Sequence, residues 1–456
     1  MVYDVAVVGS GFSAIAVSVH LLRSLPASAS IAIVGDDPAF GRGTAYRTEF
    51  HLHRLNVPAG RMSVFPDEPD HFLQWLERQG RGISRDEFAS RGDYGLYLRD
   101  TLASLLRDRP SRAKLDFIRA KATGCVRLAD DGLLFQLAEG ESLQARAVAL
   151  CLGVGTADLP LRDARIAEPA RRRLVRNPWR LKWLSKVKPE ETVSILGSGL
   201  TMIDQVLTLR ARGHRGVIHV LSRRGLVPHA HARHHGAAVL PDLPEDPLTV
   251  SGILKALRRQ VRQGAEWRTV MDGLRPRTQA LWQRLSPPER ARFLRHALAW
   301  WNIHRHRVAP AVFEQFDALL RDGSVKVHAG FLNEIGFRDG RPCLAYRPRG
   351  GRNVVSLPVD WVINCTGMER AGIGHSPLLM HMADQGIIVP DGLGLGLRVD
   401  GLSRAIGADG NALPGLYAVG ALTAGQFWEI TAVPDIRVQA QTVAHAIIAE
   451  RAVSVA

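Results

Sequence analysis

The chain has 456 residues, 46% hydrophobic and 23% charged, with a formal net charge of +15. That is a globular composition with length for two or three domains, which excludes a fibrous or low-complexity protein. No apolar run approaches the ~18 residues of a membrane helix, and the four cysteines form no C-x-x-C and no close pair, which argues against a zinc site, a disulfide framework and a redox dithiol.

Met1 leads straight into a strand-like segment with no signal-peptide pattern, so a cytoplasmic protein with no membrane association is expected. The basic charge is spread along the chain, except at "RDARIAEPARRRLVR" (162–176), and reads as a solvated face. No aromatic residues interleave as in an RNA-binding module, so nucleic acid is not an expected partner.

The first element, "YDVAVVG" (3–9), is a short continuous apolar run, as expected of a strand buried on both faces of a parallel sheet. Gly9-Ser10-Gly11-Phe12-Ser13-Ala14 follows and matches G-x-G-x-x-A. Gly9 allows the tight turn, Gly11 lets backbone approach a phosphate, and Ala14 lets the helix pack close to the strand. A helix from about Ser13 to Leu25 would then aim its free N–H groups at a pyrophosphate. "SIAIVG" (30–35) completes strand–helix–strand. Gly35 follows the strand directly, so Asp36 takes the ribose-binding role. Next, "NVPAGRMSVFPDEPDHFLQWL" (56–76) offers Asn56, Arg61 and His71 as groups that could position a ligand. A packing role competes with this: Pro69 or Asp70 opens a helix whose core face is Phe72, Trp75 and Leu76. "ARAVALCLGVG" (145–155) is a further buried strand ending in a glycine turn.

"TVSILGSGLTMID" (192–204) repeats the first design, with Gly197 and Gly199 in the loop and a helix from about Thr201 to Arg212. Met202 replaces the third small residue and is expected to loosen helix–strand packing. The following strand, "GVIHVLSRRG" (216–225), ends in Ser222, Arg223 and Arg224 in place of a carboxylate. An acid there would repel a 2′-phosphate, whereas two guanidiniums would bind it. Gly197, Gly199, Leu200, Thr201, Ser222, Arg223 and Arg224 therefore read as a site for NADP(H). Two loops then divide the work: one holds a resident redox cofactor and the other its reductant. The N-terminal loop is the one such chains use for FAD.

"PHAHARHHG" (228–236) has four histidines, 229, 231, 234 and 235, but no carboxylate or cysteine among them, so it reads as a polar loop and not a metal site. Residues 241–320 read as added helices. "VDWVINCTGMER" (359–370) is a strand ending in Thr366-Gly367, and 413–449 gives a strand, a turn at Gly420 and a closing helix. Thr366, Gly367 and Gly420 join the cofactor-binding set, while Trp428, Glu429 and Thr431 are candidate pocket walls, with plain packing as the alternative. The expected fold is α/β, with two Rossmann-like dinucleotide-binding domains and the NADPH domain inserted into a split FAD domain. The expected boundaries are 1–165, 166–330 (helical insertion about 241–320) and 331–456.

Five stretches carry a wider likeness: 40–76, "SRGDYGLYL" (90–98), "GSGLTMID" (197–204), "WWNIHRHRVAP" (300–310) and "FWEITAVPDIRVQA" (427–440). Through them the chain resembles bacterial FAD/NAD(P)-binding proteins with two dinucleotide domains, related to the class B flavin monooxygenases, including the N-hydroxylating ones. The resemblance implies FAD, NADPH and transfer of oxygen from O2 to a small nucleophilic substrate such as an amine. Arg61, His71, Trp428 and Thr431 are the side chains expected at the reaction site. Gly420-Ala421 departs from the Gly-Asp of many flavoproteins, and the F-x-G-x-x-x-H motif of Baeyer–Villiger relatives is absent, which puts lactone or ester formation in doubt. Two alternatives stay open: a reductase passing electrons to a quinone or protein, and a non-catalytic flavin sensor. The oligomeric state is open as well.

Overall fold

The computed structural model describes residues 2–455 except 38–39, Glu49, 108–111, Asp130, Val154, 156–157, 233–235, 368–372 and His375. The first half of the chain lays down β1 (Val2–Val8), β2 (Ser30–Val34), β3 (Lys114–Ile118), β4 (Ala122–Arg127), β5 (Leu133–Leu137) and β6 (Ser142–Leu150). Then come β7 (Leu174–Val175), β8 (Val193–Leu196), β9 (Ile218–Ser222), β10 (Val325–Arg338), β11 (Arg341–Pro348), β12 (Val355–Pro358) and β13 (Trp361–Asn364). The chain closes with β14 (Arg404–Ile406) and β15 (Ala412–Ala418).

These strands form two sheets. The first runs β14-β15-β6-β1-β2-β3, with the β4–β5 hairpin attached through β5. The second runs β12-β11-β10-β9-β8-β13-β7. In both, the strand before a glycine loop is central and parallel to its neighbours: Val5 pairs with Ile31 and Ala147, and Ile195 with Val220 and Ile363. Parallel strands need covering on both faces, which is why Val5–Val8 and Val193–Leu196 are buried without alternation.

The second sheet interrupts the first, as expected of an inserted domain. The expected boundary at 330/331 needs correction, because it falls inside β10. The hairpin strands β11 and β12 and then β13 still belong to the second sheet, so the chain returns to the first only after Asn364. The physical reason is β13, whose four residues are all buried because it lies between β8 and β7. Met202 also departs from expectation. It is fully buried in one core with Val193, Ile195 and Val220, so the core accommodates the larger side chain.

Helix Phe12–Ser24 is buried on all sides from Ala14 to Leu22 because it is sandwiched between the sheet, helix Arg91–Arg107 and the closing helix Val433–Val455. The helical insertion runs from Val250–Arg262 through Pro310–Arg321. It docks on the loop before the closing helix: Trp282 stacks on Trp428 at 4.6 Å, and its Nε1 donates to the Gly425 carbonyl at 2.8 Å. No helix among the described residues is long and apolar enough to cross a membrane.

Under helix His71–Arg78, Phe72 is fully buried against Trp75, Tyr94 and Tyr97. Phe72→Ala is expected to cost about 3–5 kcal/mol of stability, read as a lower denaturant midpoint with an unchanged slope.

Candidate functional site

The two glycine loops are built alike, and the likeness is steric. Gly9 has φ +135°, and a Cβ there would overlap the carbonyl oxygen of Cys151, just past β6. Gly197 has φ +98°, and a Cβ there would overlap the carbonyl oxygen of Cys365, just past β13. Neither position tolerates a side chain, so each strand turns sharply into its helix.

The second glycine of each loop faces the opposite condition. A Cβ on Gly11 or Gly199 would meet nothing within 4 Å. Each caps its helix, Phe12–Ser24 or Leu200–Ala211, without a side-chain hydrogen bond and without an acid in the first turn. The first N–H groups and the positive end of each helix dipole therefore face open space. That is a cradle for a phosphate, and the residues present fit a dinucleotide pyrophosphate at each loop.

Around the first loop, Ala14 is fully buried, and the Phe12 ring packs edge-on to Tyr46 at 6.3 Å. Gly420 lies over Ser13, where a Cβ would sit 2.5 Å from the hydroxyl. Asp36 is exposed just beyond β2, and the preceding Gly35 packs against Ser10 of the loop. Asn56 lies on the seam between the domains, where its carbonyl accepts from His231 Nε2 at 3.0 Å.

Around the second loop, Ser222 Oγ lies 2.9 Å from Ser198 Oγ and accepts the Gly225 N–H at 3.0 Å, so this hydroxyl shapes the turn. Arg223 is exposed and Arg224 half-buried, and among the described residues neither is paired with a carboxylate. Thr366 and Gly367 directly follow Cys365 and so border the second loop, not the first. Leu200 and Thr201 open the helix. Of the loop histidines, His229 packs on Trp267 and His304, while His234 and His235 lie outside the described residues. Among the described residues no group of three His, Cys, Asp or Glu could hold a metal.

The four candidate reaction-site residues separate. His71 is a correction: its Nδ1 hydrogen-bonds the Tyr97 hydroxyl at 2.8 Å, and its ring meets Phe65 edge-on at 5.0 Å. Phe65 in turn lies under the Arg23 guanidinium and beside His20. Those residues are in the last turns of helix Phe12–Ser24, about 12–16 Å along its axis from the glycine loop. The packing of Phe72, Trp75 and Leu76 fixes that helix, and it carries His71 away from both loops.

Arg61 is exposed at the end of the short turn Ala59–Arg61 and faces the insertion, where its charge is felt by Arg275. Trp428 is held between Trp282 and Phe293, and Thr431 is exposed just before the closing helix. These three border the seam between the insertion and the first domain.

Glu429, the third candidate pocket wall, has partners that the sequence did not reveal. It has φ +64°, a sparsely populated conformation for a residue with a side chain. Its carboxylate accepts from Trp301 Nε1 at 2.6 Å and Arg305 Nε at 2.9 Å, and His306 Nε2 lies 3.1 Å away. Burial alone would raise its pKa, but Arg305, His306 and Trp301 together bring it down to about 2. Its place beside Trp428 marked it in the sequence, but nothing there pointed to Trp301, Arg305 and His306 as its partners.

A carboxyl held below its unfolded value stabilises the fold above the unfolded pKa and loses that contribution as pH falls towards the folded one. For Glu429 the window runs from the ordinary value of 4.5 down to about 2. Glu429→Gln should be less stable than the parent at neutral pH, and the gap between them should close across that window in acid-unfolding curves.

Comparison with known proteins agrees with this architecture. Residues 6–155 match the family model described as FAD-NAD(P)-binding. The ornithine N-hydroxylase of Kutzneria sp. 744 superposes with a TM-score of 0.69 at 14% identity, covering 99% of this chain and 100% of that one. The L-lysine 6-monooxygenase of Pseudomonas syringae gives 0.68 at 16%, covering 98% and 99%. An uncharacterised protein of Mycobacterium tuberculosis (strain ATCC 25618 / H37Rv) is 23% identical over 282 residues, 57% of this chain and 51% of the relative. The chain thus spans about half the length of the curated relatives it matches. Residues 6–155 thus match an FAD-NAD(P)-binding family model, and the chain as a whole shares the fold of the ornithine hydroxylase and lysine monooxygenase structures.

Proposed function

We propose that the protein is an NADPH-dependent FAD monooxygenase that transfers one oxygen atom of O2 to a small nucleophilic substrate, such as an amine. The observation that carries this reading is the pair of equivalent phosphate cradles in one chain, at Gly11 and Gly199. A chain that used one nucleotide would need one.

The first loop holds FAD through Gly9, Gly11, Phe12, Ser13 and Ala14, with Asp36 at the ribose and Gly420 closing over Ser13. The second holds NADPH through Gly197, Gly199, Leu200 and Thr201. Arg223 and Arg224 meet the 2′-phosphate, and Ser222, Thr366 and Gly367 shape the turn. FAD, when bound, would supply the redox chemistry between NADPH and O2. The chain's own part is to orient both nucleotides and keep water out. Trp282, Trp428 and Phe293 form a packed aromatic layer where the insertion meets the loop at 425–431. Arg61 and Thr431, at the rim of that layer, supply hydrogen-bond donors to the reacting group.

Two observations favour oxygen transfer over thiol reduction. All four cysteines are buried and free, and burial pushes the Cys125 thiol up to about 12 and those of Cys151 and Cys365 higher still. Those three stay protonated at neutral pH, and no two of the four cysteines have the C-x-x-C spacing of a redox dithiol. The amine substrate class is supported by the names of the structural neighbours, which include hydroxylases of ornithine and lysine.

Supplying NADPH and air with a panel of primary amines should yield hydroxylated product close to one per NADPH consumed. Hydrogen peroxide as the sole product for every amine would favour a reductase instead. The nucleotide preference has its own test. Losing a charge-assisted contact costs ~1.5–3 kcal/mol, roughly a ten- to hundredfold change in affinity. Arg223→Ala with Arg224→Ala should raise KM for NADPH by about that factor and leave KM for NADH nearly unchanged. Equal damage to both would contradict a 2′-phosphate contact.

A further inference from the structure

The seam between the two nucleotide domains holds a buried ion pair. Arg91, at the start of helix Arg91–Arg107, places Nη2 2.9 Å from Asp204 Oδ2, with side chains only 13% and 8% exposed. Asp204 belongs to helix Leu200–Ala211, the helix whose N-terminus faces the second nucleotide. One turn on, Thr208 Oγ1 donates to the Asp204 carbonyl at 2.7 Å, so its lone pair is left for His53 Nε2 at 2.8 Å. His53 must therefore donate from Nε2, and its Nδ1 accepts from Thr48 Oγ1 at 2.8 Å. Asp204 and Thr208 stand at i and i+4, on one face of the helix. The first domain thus grips the second nucleotide's helix at two successive turns.

Arg91 is itself fixed. Its Nε donates to the Arg54 carbonyl at 3.0 Å, and its guanidinium lies over Trp179. Leu200, the first residue of the gripped helix, lines a cavity of about 20 Å³ with Asn56, Arg91 and Asp204, so the seam is nearly filled there. The second domain is also held through the insertion, where Trp301 and Arg305 bind Glu429 and Trp282 binds Gly425. A domain pinned at both places cannot swing without taking a buried charge pair apart.

A buried ion pair adds little net stability compared with apolar residues of the same size, but losing one partner strands the other's charge. Its consequence here is orientation. We propose that Arg91 and Asp204 are positioning residues: they hold helix Leu200–Ala211 in one register against the first domain, so that hydride passes to the flavin without domain rotation. This rests on the NADPH and FAD assignment above.

The test uses the FAD-loaded protein without oxygen and follows flavin bleaching at saturating NADPH, alongside amide hydrogen exchange in residues 200–211. Asp204→Ala should keep its FAD, speed exchange in that helix, and lower the maximal reduction rate by about ten- to a hundredfold, because small misplacements of reacting atoms carry costs of that order. KM for NADPH should change less than the rate. The double variant Arg91→Leu with Asp204→Leu leaves no stranded charge and refills the seam, so it should recover most of the rate and the protection. A merely structural pair would lower FAD occupancy and rate together and show no such split. Wild-type reduction rate in Asp204→Ala with its FAD retained would overturn the proposal. So would a double variant whose exchange is restored and whose rate is not. If NADPH does not bleach the wild-type flavin, the functional reading fails instead, and exchange alone decides whether the pair fixes the helix.

Discussion

The carbonyl oxygens of Cys151 and Cys365 set the geometry on which both nucleotide loops depend. Each presses against the first glycine of a loop at the space a Cβ would occupy. The strand therefore turns at once, and the next glycine caps the helix with the space beside it empty. Because the oxygen comes from the end of a neighbouring parallel strand, sheet order and loop shape are one constraint. A change in strand order would remove the wall that shapes the turn.

The rest of the chain holds these two cradles in a fixed relation. The helical insertion leaves the second domain and returns its aromatic side chains to the loop before the closing helix. Glu429 is strained and its carboxylate is fully engaged by the insertion, which is how a left-handed residue persists. On the other side, Arg91 reaches across to the second nucleotide's helix. A flavin and a nicotinamide must meet face to face, so a ligand pocket between domains has value only if the domains keep their places.

What the sequence made legible was local. The apolar runs at 3–9 and 192–196 and the two glycine patterns lie within a few residues of the strands and turns they specify. The short turn at Gly420 was readable for the same reason. The misplaced boundary at 330 had a different cause: β11 and β12 form a hairpin on β10, and nothing in a hairpin says which sheet it will extend. His71 failed because its helix has one strongly apolar face, and that face, not the histidine, decides where the helix lies. Glu429 with Arg305 and Arg91 with Asp204 are pairs more than 100 residues apart in sequence. Such pairs leave no periodic trace, since each partner alone reads as an ordinary surface charge.

The central claim is that one chain holds two different nucleotides, one as resident cofactor and one as its reductant. Anaerobic titration of the purified, FAD-loaded protein with NADPH tests it most directly. One equivalent of NADPH should bleach the flavin, and NADH at the same concentration should do so far less well. A flavin that stays oxidised through an excess of NADPH, or a chain that retains no flavin at all, would contradict it.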